Sequence, residues 1–476
     1  MQYVTFGGNT FIIEHYNTYT MKHLYYKLFV MTAFLLLADA GVRAQALVHW
    51  NAIGWQTNNP VIREWTPGVA IGYMEDLARG GYFFIKDFNP IAQVAELPMR
   101  NTVTDFQVKN DSVFFCGMDN TNGHGIVGFF DINALFAGTG AITYCPLSFS
   151  IPPSTYTILP TRMDVYTFRG ITHIAFVGDL LTYAAGSSTP VPSTTVGDAY
   201  FDNYSGNWIV DFYQNAAGDM VYTDIAASSD YVVAVAKKNY SPDYFVHVFR
   251  LSGDFLSTPI GVNNVFQITG NVPMGDILIE DISATDFVLA YHFAVGGGPG
   301  TELQQFRVDP VTPTIIIQLS LLAHHGASVS YSPAWAMKQL CFDATRMRLL
   351  LLQDAATDIM PSVESNILSF TPSGIGSGYV DVSCIPGVSL NRMDTKSTGG
   401  YWAIGDSGGV TAIAEEFFPA APSMSCQIRY TMDCGTIPEV RVTSRYPDLR
   451  IQFFPPPHYM NVSQKFVEFY MYCTER

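Results

Sequence analysis

Six carboxylates recur along the 476-residue chain in similar surroundings: Asp76, Asp105, Asp164, Asp224, Asp281 and Asp394. After each come a few turn-like residues and then a strongly apolar run, such as Tyr82-Phe83-Phe84-Ile85 or Tyr231-Val232-Val233-Ala234-Val235. One further copy has Cys341 in place of the acid. If the copies close into a ring, these side chains are expected near the innermost strands, facing a central channel. A ring of carboxylates there could hold a cation or a polyol, or supply the acid/base pair of glycoside chemistry. Repetition argues against catalysis, because a reacting site breaks symmetry. An Asp beside a tight turn also bonds backbone amides. The six are therefore expected to be structural, and they remain the channel-facing candidates. No residue is assigned as catalytic, cofactor-binding or metal-ligating.

Other strings suggest chemistry but are better explained by turns. Gly405-Asp406-Ser407-Gly408-Gly409 resembles the nucleophile segment of trypsin-like serine proteases, which also requires an earlier His and a buried Asp. His324-His325 lies in a context only faintly similar to that family's His segment. Gly405-Asp406 falls where Gly178-Asp179 and Gly117 fall in the repeat, at the end of a second strand. Gly296 to Gly300 has no Lys-Ser/Thr and no helix start after it, so it reads as a hairpin loop rather than a phosphate cradle. Asp119-Asn120-Thr121-Asn122-Gly123-His124 is oxygen-rich but lacks the alternating acidic ligands and the later Glu of a calcium loop. His173, His247 and His292 lie in apolar runs, as core histidines do. Trp50, Trp55 and Trp65 precede the repeat and are expected to pack on its first unit, although exposed aromatics there could also stack on sugars.

The elements that position these residues are strands. Successive repeat starts lie 29, 59, 60, 57, 60 and 53 residues apart, a period that signals a repeat architecture. One unit divides into four strand-like runs beginning at Met220, Tyr231, Tyr244 and Asn264, separated by turn clusters such as Ser228-Ser229-Asp230. The run Tyr231 to Ala236 is almost continuously apolar, as expected of a strand covered on both faces. Four-stranded units with such middle strands prefer radial packing. The expected fold is all-β, a β-propeller of about seven four-stranded blades, with six to eight possible. Thr104 to Gly117, followed by Gly125 to Ile132, resembles the secreted propeller-type repeat proteins common in Bacteroidetes. That resemblance spans roughly residues 70 to 415 and implies a fold rather than a chemistry.

Composition bounds the rest. Hydrophobic residues make up 48% and charged residues 14%, enough apolar matter for a large core. A net charge of -16, with no basic run, disfavours nucleic acid and anionic lipid. Residues 1–44 are expected to be a leader, with a signal peptide over 21–44: Lys22 and Lys27, the apolar run Leu28 to Ala38, and Val42-Arg43-Ala44 before Gln45. Residues 45–422 are assigned to the propeller, and 423–476 to a β-rich segment that could help close the ring. No later segment reads as a membrane span. Of seven cysteines, Cys116, Cys145, Cys341 and Cys384 read as buried hydrophobes, while Cys426–Cys434 or Cys434–Cys473 are candidates for a terminal disulfide. The cofactor is unknown. The expected function is an exported (secreted, periplasmic or cell-surface) binding or scaffold protein for an extracellular protein or glycan. The alternatives are a carbohydrate-active enzyme using axial Asp residues and a structural cell-surface protein.

Overall fold

A computed structural model describes residues 47–417 apart from short connecting segments, with six further strands outside that range. The chain forms two compact units, Leu47–Phe417 and, separately, Met1–Ala46 with Phe418–Arg476. In the latter, Gln2–Phe6 pairs with Asn9–Ile13, Gln427–Thr431 with Glu468–Tyr472, and Glu439–Arg445 with Asp448–Phe454, all antiparallel. The leader segment 21–44 lies outside the described residues. So do Cys426, Cys434 and Cys473, and with them the candidate bridges. Cys116, Cys145 and Cys341 are free thiols.

Residues 47–417 build a seven-bladed β-propeller of antiparallel sheets. Blades 1 to 6 span residues 57–99, 102–146, 148–214, 220–264, 273–325 and 337–384. Blade 7 takes three strands from 389–417, and its fourth is Leu47–Ala52, which pairs with Val410–Phe417 and ties the start of the ring to its end. Blade 3 carries a fifth strand, Ser148–Ile151, folded onto the start of the long strand Ser154–Phe168.

The continuous apolar runs account for the radial packing. In Tyr231–Lys238 the residues Tyr231, Val233 and Val235 join a core shared with blade 5. Val232, Ala234 and Ala236, on the opposite face, join a core shared with blade 3. Leu349 and Leu351 of blade 6 likewise pack toward blade 5, and Leu350 and Leu352 toward blade 7. A strand that alternated apolar with polar would leave one of these interfaces unfilled, and each fully buried aliphatic side chain is worth roughly 1.5–3 kcal/mol.

The innermost strand is the first of each blade, except in blade 3, where it is Ser154–Phe168, and these strands touch one another around the whole ring. In five of them one residue is bulged out of register with the second strand: Thr104, Thr161, Thr223, Lys338 and Asn391. The second strand faces three of these bulges with a glycine. A Cβ on Gly117, Gly178 or Gly405 would lie 1.9, 2.2 or 2.0 Å from the carbonyl oxygen of Thr102, Leu159 or Ser389. The protease-like string therefore contains a glycine required by close strand approach, equivalent in three blades. His324 and His325 sit on the outermost strand of blade 5, Ile316–His325, two blades from Ser407.

One expectation is corrected. Asp76 ends the second strand of blade 1, Val69–Asp76, rather than sitting on the first, which is Thr57–Thr66. The apparent copy at Asp76 was one strand out of phase, which is why the first interval was only 29 residues.

Candidate functional site

Around the axis, side chains on the innermost strands bond the backbone of the next blade. Asp105 of blade 2 accepts from Met163 N of blade 3 at 3.4 Å, and Asp224 of blade 4 from Ile279 N of blade 5 at 3.0 Å. Gln339 of blade 6 accepts from Met393 N of blade 7 at 3.2 Å. These three acceptors each lie one residue past their bulge. At the other three junctions the acceptor stands two residues further along. Asp164 accepts from Ala227 N at 2.7 Å, Glu280 from Phe342 N at 3.1 Å, and Asp394 from Glu64 N at 2.8 Å. Asp164 also accepts from Val165 N at 2.7 Å.

The acceptors thus alternate between two tiers from blade to blade, and seven blades leave one junction over, between blades 1 and 2. Arg63 closes it. Its Nε donates to Phe106 O (2.9 Å) and its Nη2 to Asp105 (2.9 Å), while Nη1 reaches Met393 O of blade 7 (3.2 Å). Burial opposes the charge on Arg63, but the carboxylates of Asp105 and Asp394 outweigh it and hold the guanidinium charged. Arg162 extends from blade 3 to blade 6, where Nη2 donates to Lys338 O at 2.8 Å. The bulged Thr104 and Thr223 add hydroxyl bonds to Pro160 O (2.9 Å) and Ile277 O (3.0 Å) of the next blade.

Burial sets the electrostatics. It raises Asp164, helped by repulsion from Asp281, to about 8, and it raises Asp224 and Asp281 to about 6. Glu280 is pushed well above the ordinary carboxylate range, by burial first and then by Asp281 and Asp164. Arg392 falls to about 9 through burial and repulsion from Arg162. Asp164, Asp224 and Asp394 are half-buried.

Of the six carboxylates singled out in the sequence, Asp105, Asp164, Asp224 and Asp394 are members of this ring. Asp281 sits beside it, next to the true acceptor Glu280, and the Asp76 side chain lies outside the described residues. Arg63, Glu280, Gln339 and Arg162 do not stand out when the repeats are matched on their aspartates. Aligning them on the buried apolar positions Ile62, Phe106, Met163, Ile225, Ile279, Leu340 and Met393 brings out every member.

The other candidates sit in local networks. Asp119 accepts from Thr121 N at 2.9 Å and Asn122 Nδ2 at 2.8 Å, closing its own turn. His173 Nδ1 lies 2.8 Å from Asp198, which also accepts from Tyr166 OH at 2.7 Å. His247 pairs with Tyr222 OH (2.6 Å) and His292 with Thr301 Oγ1 (3.0 Å). Trp65 Nε1 donates to Asp111 at 2.8 Å while its ring packs against the core between blades 1 and 2. Val295 pairs with Gly298, so the glycine run turns a hairpin.

No family model and no curated protein matches the chain. Solved structures similar in fold include the β-propeller domain of the Trilobed protease from Pyrococcus furiosus. It has 7% identity and a TM-score of 0.42, over 77% of this chain and 94% of that one. The β-propeller domain of Nup133 from Vanderwaltozyma polyspora has 8% identity and a TM-score of 0.41, over 78% and 98%. A structure from a study of two prolyl endopeptidases has 12% identity and a TM-score of 0.40. The match covers 80% of this chain but only about half, 52%, of that protein. At these identities the likeness concerns the fold alone.

Proposed function

We propose that this chain is an exported binding or scaffold propeller whose partner, an extracellular protein or glycan, engages a rim of the ring rather than its axis. The observation that carries this reading is the employment of the axial carboxylates. Asp105, Asp164, Asp224, Glu280 and Asp394 each hold an amide of the neighbouring blade. A general acid or nucleophile must be free to exchange partners with substrate, and these groups are committed to closing the ring. Rim loops are then the natural contact surface. Export rests on the leader 21–44, and the kinship with secreted propellers of Bacteroidetes on the repeat.

The test immobilises the chain from Gln45 onward and offers it labelled envelope proteins and glycans. Asp164→Asn and Asp224→Asn are expected to retain the same partner as wild type. Retention of nothing from either class, or loss of the partner by these variants while still folded, overturns the reading. The enzyme alternative keeps one observation in its favour, the repulsion between Asp164 and Asp281 and their unequal proton affinities near neutrality. It requires a polysaccharide-cleaving activity that Asp164→Asn abolishes.

A further inference from the structure

Two arginines share the axial tier of Asp105, Asp224 and Gln339. Arg162 of blade 3 and Arg392 of blade 7 each lie one residue past the bulge of their innermost strand, at Thr161 and Asn391. Arg162 reaches Lys338 O of blade 6, three blades on, so its side chain crosses the axis. It makes no other hydrogen bond among the described residues. Arg392 makes none at all among them: its Nε is buried without an acceptor, and no carboxylate is close enough for an ion pair. Asp105 and Asp224 attract it from further off, but Arg162 repels it more strongly than either attracts, and Arg63 adds to the repulsion. Asp105 already accepts from Arg63, Phe106 N and Met163 N, and Asp224 from Ile279 N. Three guanidinium groups thus face two carboxylates. Lys338, whose Nζ donates to Leu390 O at 2.6 Å, adds a further positive charge to the tier. This excess stands inside a chain whose net charge is -16. A buried guanidinium N–H without an acceptor is costly, and a water molecule supplies an acceptor but no counter-charge.

We propose that Arg162 and Arg392 hold one small carboxylate anion on the axis. Guanidinium forks match a planar carboxylate with paired N–H donors, a fit that a spherical halide lacks. Asp105 and Asp224 on the same tier repel a second negative charge, which disfavours the phosphate dianion. The Arg162 bridge across the axis limits the occupant to the size of formate or acetate. Such an anion completes Arg392 Nε and offsets the repulsion between the two arginines. The inference goes beyond the rim-binding reading and does not depend on it, because this site is axial and its ligand is a small molecule.

The experiment titrates the chain from Gln45 onward, nitrogen-labelled at arginine, with sodium acetate at constant ionic strength. Acetate is expected to shift the Arg392 Nε–H resonance saturably, with a Kd on the order of 1 mM, within the ceiling for so small a ligand. It should also raise the melting temperature, since only the folded chain has the site. The exposed Arg169 should not shift. Arg392→Lys should weaken acetate binding about tenfold, because an ammonium lacks the fork. Arg392→Met should melt no lower than wild type without acetate and should not respond to it, because it removes the unpaired charge along with the site. The inference falls if acetate leaves the Arg392 resonance in place, or if Arg392→Met keeps the acetate-dependent rise. Equal shifts with sodium chloride or sodium phosphate overturn the choice of a carboxylate. If neither variant folds, the wild-type resonance decides alone.

Discussion

Asp164 concentrates the axial electrostatics. Its proton affinity is raised to about 8 in the folded state from 3.8 in an open chain, by burial first and then by Asp281. The folded protein therefore holds a proton that the unfolded chain releases. The stability this group contributes is complete below about pH 4 and is lost as pH rises toward 8. His247 and His292 act in the opposite sense, because burial lowers both to about 4 from 6.5. Their contribution is complete above 6.5 and is lost as pH falls toward 4. Between pH 6.5 and 8 the histidines add nothing further, and Asp164 acts together with Glu280, whose proton affinity is raised in the same direction. Wild-type stability is expected to decline there by on the order of 1 kcal/mol per pH unit, and Asp164→Asn should make the decline shallower. Melting temperatures across that window decide the matter; a wild-type curve that rises toward pH 8 contradicts it.

At the scale of strands, the sequence was informative wherever a strand is buried on both faces. Runs such as Tyr231 to Ala236 have few alternatives to a middle strand between two neighbours, so blade spacing and architecture could be read directly. What stayed hidden was phase and identity. Asp76 mimicked a first-strand acid because Tyr82 to Ile85, which follows it, is as apolar as a second strand although it is the third. Gln339 and Arg63 were invisible because the ring needs a hydrogen bond at each junction rather than a particular charge. The extra strand Ser148–Ile151 was lost within an interval of ordinary length. The glycines opposite the bulges are the exception, legible as a recurring position and explained by approach distance. Gly405→Ala is expected to destabilise by about 1–3 kcal/mol, because the added methyl meets a backbone carbonyl that cannot rotate away. Chemical denaturation measures this. A neutral result would mean that the strands of blade 7 separate more easily than their register implies.

For the whole molecule, closure depends on the junction of distant segments in blade 7. Leu47 to Ala52 pair residue by residue with Phe417 to Ala412. A chain starting at residue 53 leaves the edge of Val410–Phe417 uncovered, and exposed edges recruit other chains. Compared with a chain starting at Gln45, it is expected to melt several degrees lower and to scatter light on heating. Equal melting curves would show that this strand is dispensable to the ring.

The alternating tiers carry a consequence of parity. A cycle with an odd number of members cannot be coloured in two shades without one clash, so a seven-membered ring built on alternation must contain a fault line. This protein sets its fault line next to the place where its own beginning is stitched to its end, and lets a single guanidinium grip both sides. An eight-membered relative made by inserting one more module at that point would have no clash to resolve, and Arg63 would have no odd junction left to close.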